Sequence, residues 1–326
     1  MKKKKLLLSI ISIAMVVGIM AGCANKATSK GGTSTKNTEK ISEINLTYVK
    51  APLNVPSIIQ KQDDLFGKEF SKDNISVNFK EITAGPDQTQ ALAAGELQFL
   101  HALGGTSALI AASNGVKLKI MNTYSRSPKG FMILTNNDAI KSAADLKGKK
   151  VAGPKGTILH QVLVAALDKE GLTQKDVQFI NMGIPEATAA LAGGSVDAAL
   201  IAGPAALKAI KAGSKIVTTG EGLVDGIIVT AVSSEFAEKH PDIVERFMKV
   251  ERETLNYINE KQDEALEKVS KEVGLTIDET KELYKLYNFS IDITDKDIKE
   301  LEATQDFLIK NGMQENKVDI KGLIYK

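Results

Sequence analysis

Residues 86–105, PDQTQALAAGELQFLHALGG, align without gaps on residues 185–204, PEATAALAGGSVDAALIAGP. The proline is predicted to open a helix, the first shared glycine to close it, and the second shared glycine to follow the next strand. Two lobes built from the same strand–loop–helix–strand unit are therefore predicted, because the spacing is far too long for a solenoid. Identical pairs at an offset of 99 include Pro86/Pro185, Thr89/Thr188, Ala91/Ala190, Leu92/Leu191, Ala93/Ala192, Gly95/Gly194 and Gly104/Gly203.

The rest of the chain up to His240 alternates short apolar runs with segments of helical periodicity, which predicts an α/β fold with mainly parallel sheets. Gly171 is placed as a helix stop. Beyond His240 the sequence reads as charged helices, with starts near Pro241 and Thr294 or Asp295. Ten segments are predicted to be strands: EINLTYV (43–49), ISVNFKEI (75–82), LQFLHAL (97–103), LKIMNTY (118–124), GFMILTN (130–136), KKVAGP (149–154), VQFINM (177–182), VDAALIAG (196–203), SKIVTTG (214–220) and DGIIVTAVS (225–233).

The N-terminal forty residues have the pattern of a leader and a tether. Four lysines precede an apolar run at 6–20, which is shorter than a membrane-spanning helix requires. The only cysteine, Cys23, follows Ala21-Gly22, and this junction resembles the lipobox of bacterial lipoproteins. We expect a signal peptide at 1–22, acylation of Cys23, a flexible tether at 23–40, and a protein held on the extracytoplasmic face of the cell membrane.

Charge and size restrict the function of the remaining part. Residues 41–326 contain 34 basic and 39 acidic side chains, so the positive net charge of the whole chain belongs to the leader and tether. Nucleic-acid binding requires a basic face, and we expect no nucleic-acid partner. This part is long enough for two lobes without a disulfide, and we expect a monomer.

Ligands of open α/β sheets bind beyond the carboxyl ends of the strands, where loops lead into helices. Two facing lobes would form a cleft lined by such loops, and helix N-termini with free N–H groups favour anions there. The candidate loops are rich in Gly, Pro and small polar residues, and they are KAPLN (50–54), TAGPDQ (83–88), GGTS (104–107), GPKGT (153–157), GIPEA (183–187) and AGPA (202–205).

Three sequence motifs resemble those of a known family: DLKGK at 145–149, KGT at 155–157 and G-x-VDA at 194–198. Across about 45–250 the chain resembles ABC-transporter substrate-binding proteins of the aliphatic sulfonate/taurine/nitrate group, which share their pattern with thiamine-pyrimidine-precursor binders. The resemblance implies a type II periplasmic-binding-protein fold, a small anionic organic solute, and an ABC permease as partner.

The same resemblance implies two α/β lobes joined by two hinge crossings, with the ligand cleft between them. We place the crossings near Tyr124–Lys129 and Gly220–Gly226. Lobe 1 then comprises residues 41–128 and 226–326, and lobe 2 comprises residues 129–225.

Among individual side chains, the hydroxyl groups of Thr106, Ser107 and Thr157 are predicted to donate to ligand oxygens, with helix capping as the alternative. His160 is interpreted first as a surface or packing histidine and Arg126 first as a solvated cation, with ligand contact as the alternative for both and inter-lobe contact as a further alternative for Arg126. His101, His240 and Asp197 are interpreted as structural, and Asp87 and Glu186 as caps. The predicted ligand-binding residues are Leu53, Asn54, Thr83, Gly85, Gly104, Gly105, Thr106, Ser107, Arg126, Lys155, Gly156, Thr157, His160, Ile184 and Pro185.

Enzyme chemistry has little support, because the chain has no Gly-x-Ser-x-Gly elbow, no P-loop and no His or Cys pair with metal-ligand spacing. No cofactor or metal is expected. Two alternatives remain open: a pyrimidine-precursor-related protein of the same fold, and a sensor that presents its solute to a membrane receptor. Many sulfonate-binding members carry tryptophan just after the VDA element, whereas this chain has no Trp. The solute therefore stays open among sulfonate, taurine, nitrate, pyrimidine and carboxylate.

Overall fold

The structure is a computed structural model that describes residues 41–326. The predicted signal peptide, tether and Cys23 lie outside the described residues. All ten predicted strand segments form strands, and a two-residue strand is added near the C-terminus. The strands are β1 (Glu43–Tyr48), β2 (Ser76–Glu81), β3 (Phe99–Gly104), β4 (Leu118–Arg126), β5 (Phe131–Thr135), β6 (Lys150–Gly153), β7 (Gln178–Asn181), β8 (Ala198–Ala202), β9 (Lys215–Thr219), β10 (Ile227–Ser233) and β11 (Asn288–Phe289).

The strands form two sheets, which confirms the predicted two-lobed α/β fold. The first sheet has the order β11-β4-β10-β3-β1-β2, and the second has the order β7-β6-β8-β5-β9. The prediction of mainly parallel sheets is wrong. Strands β10 and β5 are antiparallel to both of their neighbours, and β11 is antiparallel to β4. The reason is topological: β5 and β10 are the first strands after each passage between the sheets, and each enters its sheet from the opposite end.

The helices flank both sheets, and those that follow β10 return to the first lobe. Helix α9 begins at Pro241 as predicted, and Thr294 caps α12 through a capping box with Asp297. The helices are α1 (Val55–Gln62), α2 (Leu65–Phe70), α3 (Gly85–Ala93), α4 (Gly105–Ser113), α5 (Ile158–Lys169), α6 (Ile184–Ala192), α7 (Gly203–Lys211), α8 (Ser234–Lys239), α9 (Pro241–Glu260), α10 (Gln262–Val273), α11 (Ile277–Tyr284), α12 (Asp295–Lys310) and α13 (Ile320–Leu323).

The two segments that connect the sheets run side by side. The chain passes from β4 to β5 through residues 127–130 and returns from β9 to β10 through residues 220–226. The Ser127 N–H group donates to the Gly226 carbonyl over 3.3 Å, so the two passages are joined. The residue boundaries given above for the lobes stay a prediction.

The internal repeat corresponds to two matching units. Helices α3 and α6 each begin one residue before the shared proline, and Gly95 and Gly194 follow them with φ of 79° and 69°. The final glycine pair differs between the lobes, because Gly104 ends β3 with φ −63° whereas Gly203 begins α7 with φ 62°.

The apolar cores lie beneath the two sheets, and one cluster of buried residues is continuous across the two lobes. In the first lobe, Phe247 of α9 stacks between Phe66 and Phe99, with ring centroids 4.2 and 4.1 Å apart. Val162 of α5 and Leu200 of β8 are fully buried in the second lobe, in a cluster that also includes Val49 and Ile228 of the first lobe. Within residues 41–326, no helix combines the length and apolarity that crossing a membrane requires.

Candidate ligand cleft

A cavity of about 400 Å³ lies between the two lobes. The first lobe contributes the ends of β1 and β3, the start of β10 and the loop before α3, and the second contributes the start of β5 and the loops before α5 and α6. Its apolar lining includes Val49, Phe131, Ile158, Leu159 and Ile228. A volume of this size is typical of pockets that hold small molecules.

Four helix N-termini meet at this cavity, two from each lobe. Gly85 of α3 and Ser107 of α4 line it from the first lobe, and Ile158 of α5 and Ile184 of α6 line it from the second. The first N–H groups of a helix have no acceptor within the helix, and each N-terminus carries about half a positive charge. The residues of 41–326 that line the cavity include no Lys or Arg side chain. The partial positive charge that these residues offer an anion therefore comes from backbone N–H groups.

Seven of the fifteen predicted ligand-binding residues line the cavity. They are Thr83, Gly85, Gly104, Ser107, Thr157, Ile184 and Pro185. Five of the six predicted loops contribute at least one lining residue, the exception being 202–205.

The structure does not bring the other eight predicted residues to the cavity lining: Leu53, Asn54, Gly105, Thr106, Arg126, Lys155, Gly156 and His160. Leu53 is fully buried in the core against the C-terminal helices. Asn54 precedes α1 as its N-cap, and its amide donates to the Ala51 carbonyl over 3.3 Å. In this loop, Ala51 and Pro52 line the cavity instead.

Three more of the predicted residues that do not line the cavity have other contacts: Arg126, Lys155 and Gly105. Arg126 Nε lies 2.6 Å from Asp297 Oδ1 within the first lobe, so its guanidinium neutralises a buried carboxylate. Lys155 is exposed, and its backbone N–H donates to the side chain of Asn181. A Cβ on Gly105 would lie 3.1 Å from the Ile227 carbonyl oxygen, which shows that this face of Gly105 packs on β10.

The three predicted hydroxyl donors already donate to protein acceptors. Thr106 donates to Gln161 Oε1 over 2.5 Å, Ser107 to the Gly156 carbonyl over 2.9 Å, and Thr157 to the Pro154 carbonyl over 2.8 Å. The first two bonds join the lobes across the cleft. Since a hydroxyl has a single proton, the N–H groups of the helix N-termini are the donors left for a ligand.

His160 holds the loop before α5 rather than the ligand. Its Nδ1 accepts from the Gly156 N–H at 3.3 Å, and its Nε2 lies 3.1 Å from Gln174 Oε1. The ring stacks on Phe179 with 4.7 Å between centroids. With Nδ1 accepting, the proton of the neutral ring is on Nε2 and is donated to Gln174.

Sequence reasoning missed several cavity residues. Phe131 and Ile228 lie at the starts of β5 and β10, and the antiparallel direction of these strands brings their first residues to the edge where the parallel strands end. Three carboxylates also line the cavity: Glu81, Asp87 and Glu186. Asp87 and Glu186 follow the two repeat prolines; the sequence singled them out as caps, with contact to a ligand ammonium as the alternative for Glu186, and only Glu81 of the three had no signal. Among residues 41–326, no group of three or more His, Cys, Asp or Glu side chains is arranged to hold a metal ion.

Comparison with known proteins places this geometry in a family. The model of the NMT1/THI5-like family matches residues 70–265. The chain belongs to the NMT1/THI5-like family. A Bacillus subtilis (strain 168) protein assigned as an aliphatic sulfonates-binding protein is 30% identical over 97% of this chain and 93% of its own length. The taurine-binding periplasmic protein of Escherichia coli (strain K12) is 28% identical over 63% of this chain and 64% of its own length.

The fold of this NMT1/THI5-like protein is also that of solved binding proteins. The alkanesulfonate-binding protein of Xanthomonas axonopodis pv. citri, solved bound to MOPS, superposes with a TM-score of 0.79. The two chains are 24% identical, and the match covers 88% of this chain and 99% of the other. At this identity the similarity establishes the periplasmic-binding-protein fold.

Stability of this NMT1/THI5-like protein should depend on pH through His160. Burial lowers the pKa of His160 to about 4, whereas an unfolded histidine has a pKa of about 6.5. Between these two pKa values the unfolded chain binds a proton at His160 that the folded chain does not bind. The free energy of unfolding therefore falls as the pH is lowered from about 6.5 to about 4. We expect a loss on the order of 3 kcal/mol.

The measurement is denaturant unfolding at pH values from 7 to 4 for the parent and for His160→Gln. The variant keeps an amide that can both donate and accept but has no titrating group, so its curve should be flatter through this window. Equal pH dependence in the two proteins would contradict the assignment to His160.

Proposed function

We propose that this chain is an extracytoplasmic solute-binding protein that captures a small anionic organic solute of the sulfonate type and delivers it to an ABC importer. The observation that carries the proposal is the convergence of four helix N-termini, two from each lobe, on one cavity. Hydrogen bonds to a charged group contribute about 1.5–3 kcal/mol each, so a few backbone N–H groups suffice to hold an oxyanion.

The other lining residues narrow the solute class. Apolar side chains such as Val49 and Phe131 suit an aliphatic or aromatic body attached to the acid group. The carboxylates of Glu81, Asp87 and Glu186 add negative charge around the cavity, which disfavours a solute with two negative charges. A monoanion with an apolar body, such as an alkanesulfonate, fits both features. Relatives named for aliphatic sulfonates and for taurine support this class.

The test uses compounds of one carbon skeleton that differ only in charge. Propane-1-sulfonate, propanoate, propan-1-ol and propylamine are titrated calorimetrically into residues 41–326, with inorganic sulfate as the dianion. We expect the sulfonate to bind, the alcohol and amine not to bind, and sulfate to bind more weakly than the sulfonate. At a hundred times the dissociation constant, the bound ligand should raise the free energy of unfolding by about 2.7 kcal/mol. Binding of the amine without binding of the sulfonate would overturn the proposal.

We further propose that the protein is anchored by a lipid on Cys23. The support is the sequence order: lysines, an apolar run, small residues, one cysteine, and then a polar segment. Changing Cys23→Ser should leave the protein as an unprocessed precursor or release it, since no other thiol is present. The measurement is membrane fractionation with mass spectrometry of the mature N-terminus, and Ser29→Ala in the same segment is the control. An N-terminus elsewhere, without lipid, would contradict the anchor.

A further inference from the structure

Strand β3 has a bulge at the point where it reaches the cavity. Leu103 pairs with Val229 and Leu100 pairs with Ala231, so His101 and Ala102 together lie opposite Thr230 alone. Ala102 lines the cavity and has φ 64°, a left-handed conformation that a residue with a Cβ adopts rarely. Bulges redirect the chain next to binding sites, and such a conformation persists only when its surroundings fix it.

The backbone of His101 is fixed by one buried hydroxyl group. Thr47 Oγ1 donates to the His101 carbonyl over 2.9 Å and accepts from the His101 N–H over 2.7 Å. Both residues are fully buried. The residue before Ala102 is therefore held at both of its peptide groups by the neighbouring strand β1.

Both ring nitrogens of the His101 side chain lie close to a polar side chain. Ser57 Oγ of α1 lies 2.9 Å from Nδ1, and Glu251 Oε1 of α9 lies 2.7 Å from Nε2. Glu251 also accepts from Thr230 Oγ1 over 3.1 Å and from the Asn122 amide. The imidazole thus bridges two helices that lie on either side of the bulge in sequence.

Tyr124 extends this buried cluster beyond Ser57. The Ser57 N–H donates to the Tyr124 oxygen over 3.1 Å, and the two hydroxyl oxygens lie 3.0 Å apart. Glu251 Oε1 is in close contact with His101 Nε2 but does not accept a hydrogen bond from it. Ser57, His101 and Glu251 resemble a catalytic triad in their order, but Ser57 is fully buried and no substrate atom can reach it.

We propose that Thr47 and the buried chain Ser57–His101–Glu251 together position Ala102 in its left-handed conformation and thereby shape the cavity wall for the solute. His101 and Glu251 are positioning residues, since neither lines the cavity and both act through the bulge. This inference rests on the proposed function for its affinity readout. Its second readout, the backbone of Ala102, is independent of any ligand.

The experiment compares four proteins: the parent, His101→Asn, Ala102→Gly, and the double variant. Propane-1-sulfonate affinity is measured by calorimetry, and the unfolding midpoint of the ligand-free protein is measured in parallel. We expect His101→Asn to weaken binding about tenfold, because a residue that is no longer held relaxes toward an ordinary conformation. Glycine adopts positive φ without a Cβ clash, so the double variant should regain affinity to within about threefold of the parent while its midpoint stays low.

Two results would overturn the proposal: unchanged affinity in His101→Asn with a lowered midpoint, which indicates a purely structural role, or no recovery in the double variant. If His101→Asn does not fold, Thr47→Val removes the backbone bonds instead, and Thr47→Ser, which keeps the hydroxyl, is its matched control.

The NMR chemical shifts of Ala102 Cα and Cβ in the ligand-free protein keep the two proposals distinguishable. If the parent binds no sulfonate, the proposed function fails, and these shifts alone test the positioning role. We expect a left-handed signature in the parent and its loss in His101→Asn. Retention of that signature in His101→Asn would overturn the positioning role whatever the solute is.

Discussion

A methyl group added at Gly203 is expected to prevent the two lobes from closing and to weaken solute binding at least a hundredfold. Gly203 is the first residue of α7 in the second lobe, and a Cβ built on it would lie 1.7 Å from the Pro52 carbonyl oxygen of the first lobe. Pro52 lines the cavity, so the overlap falls at the edge of the ligand cleft. The lobes must separate to relieve it, and a hundredfold loss corresponds to about 2.8 kcal/mol of closure free energy.

A second glycine provides the matched control for Gly203→Ala. Gly194 has φ 69°, close to the 62° of Gly203, but a Cβ there would meet nothing within 4 Å. Both alanine variants therefore incur the same left-handed strain, about 1–2 kcal/mol, and only Gly203→Ala obstructs closure.

The measurements are calorimetry with propane-1-sulfonate and small-angle scattering with and without it. Gly194→Ala should bind and become more compact with ligand like the parent, whereas Gly203→Ala should do neither. Parent-like affinity in Gly203→Ala would show that this contact between the lobes is not needed for binding.

The regular elements were predictable because their signals are local. Alternation of apolar runs with helical periodicity marked all ten longer strands, and Pro86 and Pro185 marked the starts of α3 and α6. The strand that was missed, β11, has only two residues, Asn288 and Phe289, which is too short for any periodicity to appear. Its position depends on pairing with the far end of β4, a contact distant in sequence.

Strand direction was not predictable from the same signals. A buried strand has the same apolar pattern whether its neighbours are parallel or antiparallel to it. Strands β5 and β10 run against their neighbours because each follows a passage between the lobes, and this reversal brings Phe131 and Ile228 into the cavity. The predicted loops therefore account for only part of the cavity lining.

The site was predictable at the level of loops and less so at the level of side chains. Glycine and proline identify loops that lead into helices, and most of these loops do reach the cavity. The Thr106 hydroxyl instead donates to Gln161 of the opposite lobe, and the Ser107 hydroxyl donates to Gly156. These acceptors are distant in sequence, so only the folded structure identifies them. Arg126 likewise pairs with Asp297, 171 residues later in the chain.

The largest loss of stability is expected from removing the aromatic ring of Phe247. The ring is fully buried on α9 and stacks between Phe66 and Phe99, which belong to α2 and β3. Phe247→Ala removes a ring that joins a helix of the C-terminal half to the sheet of the first lobe, and close-packed interiors collapse only partly around such a cavity. Burial and cavity terms together predict a loss of about 3–5 kcal/mol in the free energy of unfolding.

Phe236→Ala is the matched control, because Phe236 contacts Phe99 edge to face at 5.4 Å but is only half-buried. Its loss should be less than half that of Phe247→Ala, since part of the ring already faces water. Both values come from urea unfolding monitored by circular dichroism. The ring also lies 6.1 Å from His101, so Phe247→Ala should weaken sulfonate binding in addition, whereas Phe236→Ala should not. Equal losses of stability in the two variants would contradict the central place given to Phe247 in the first-lobe core.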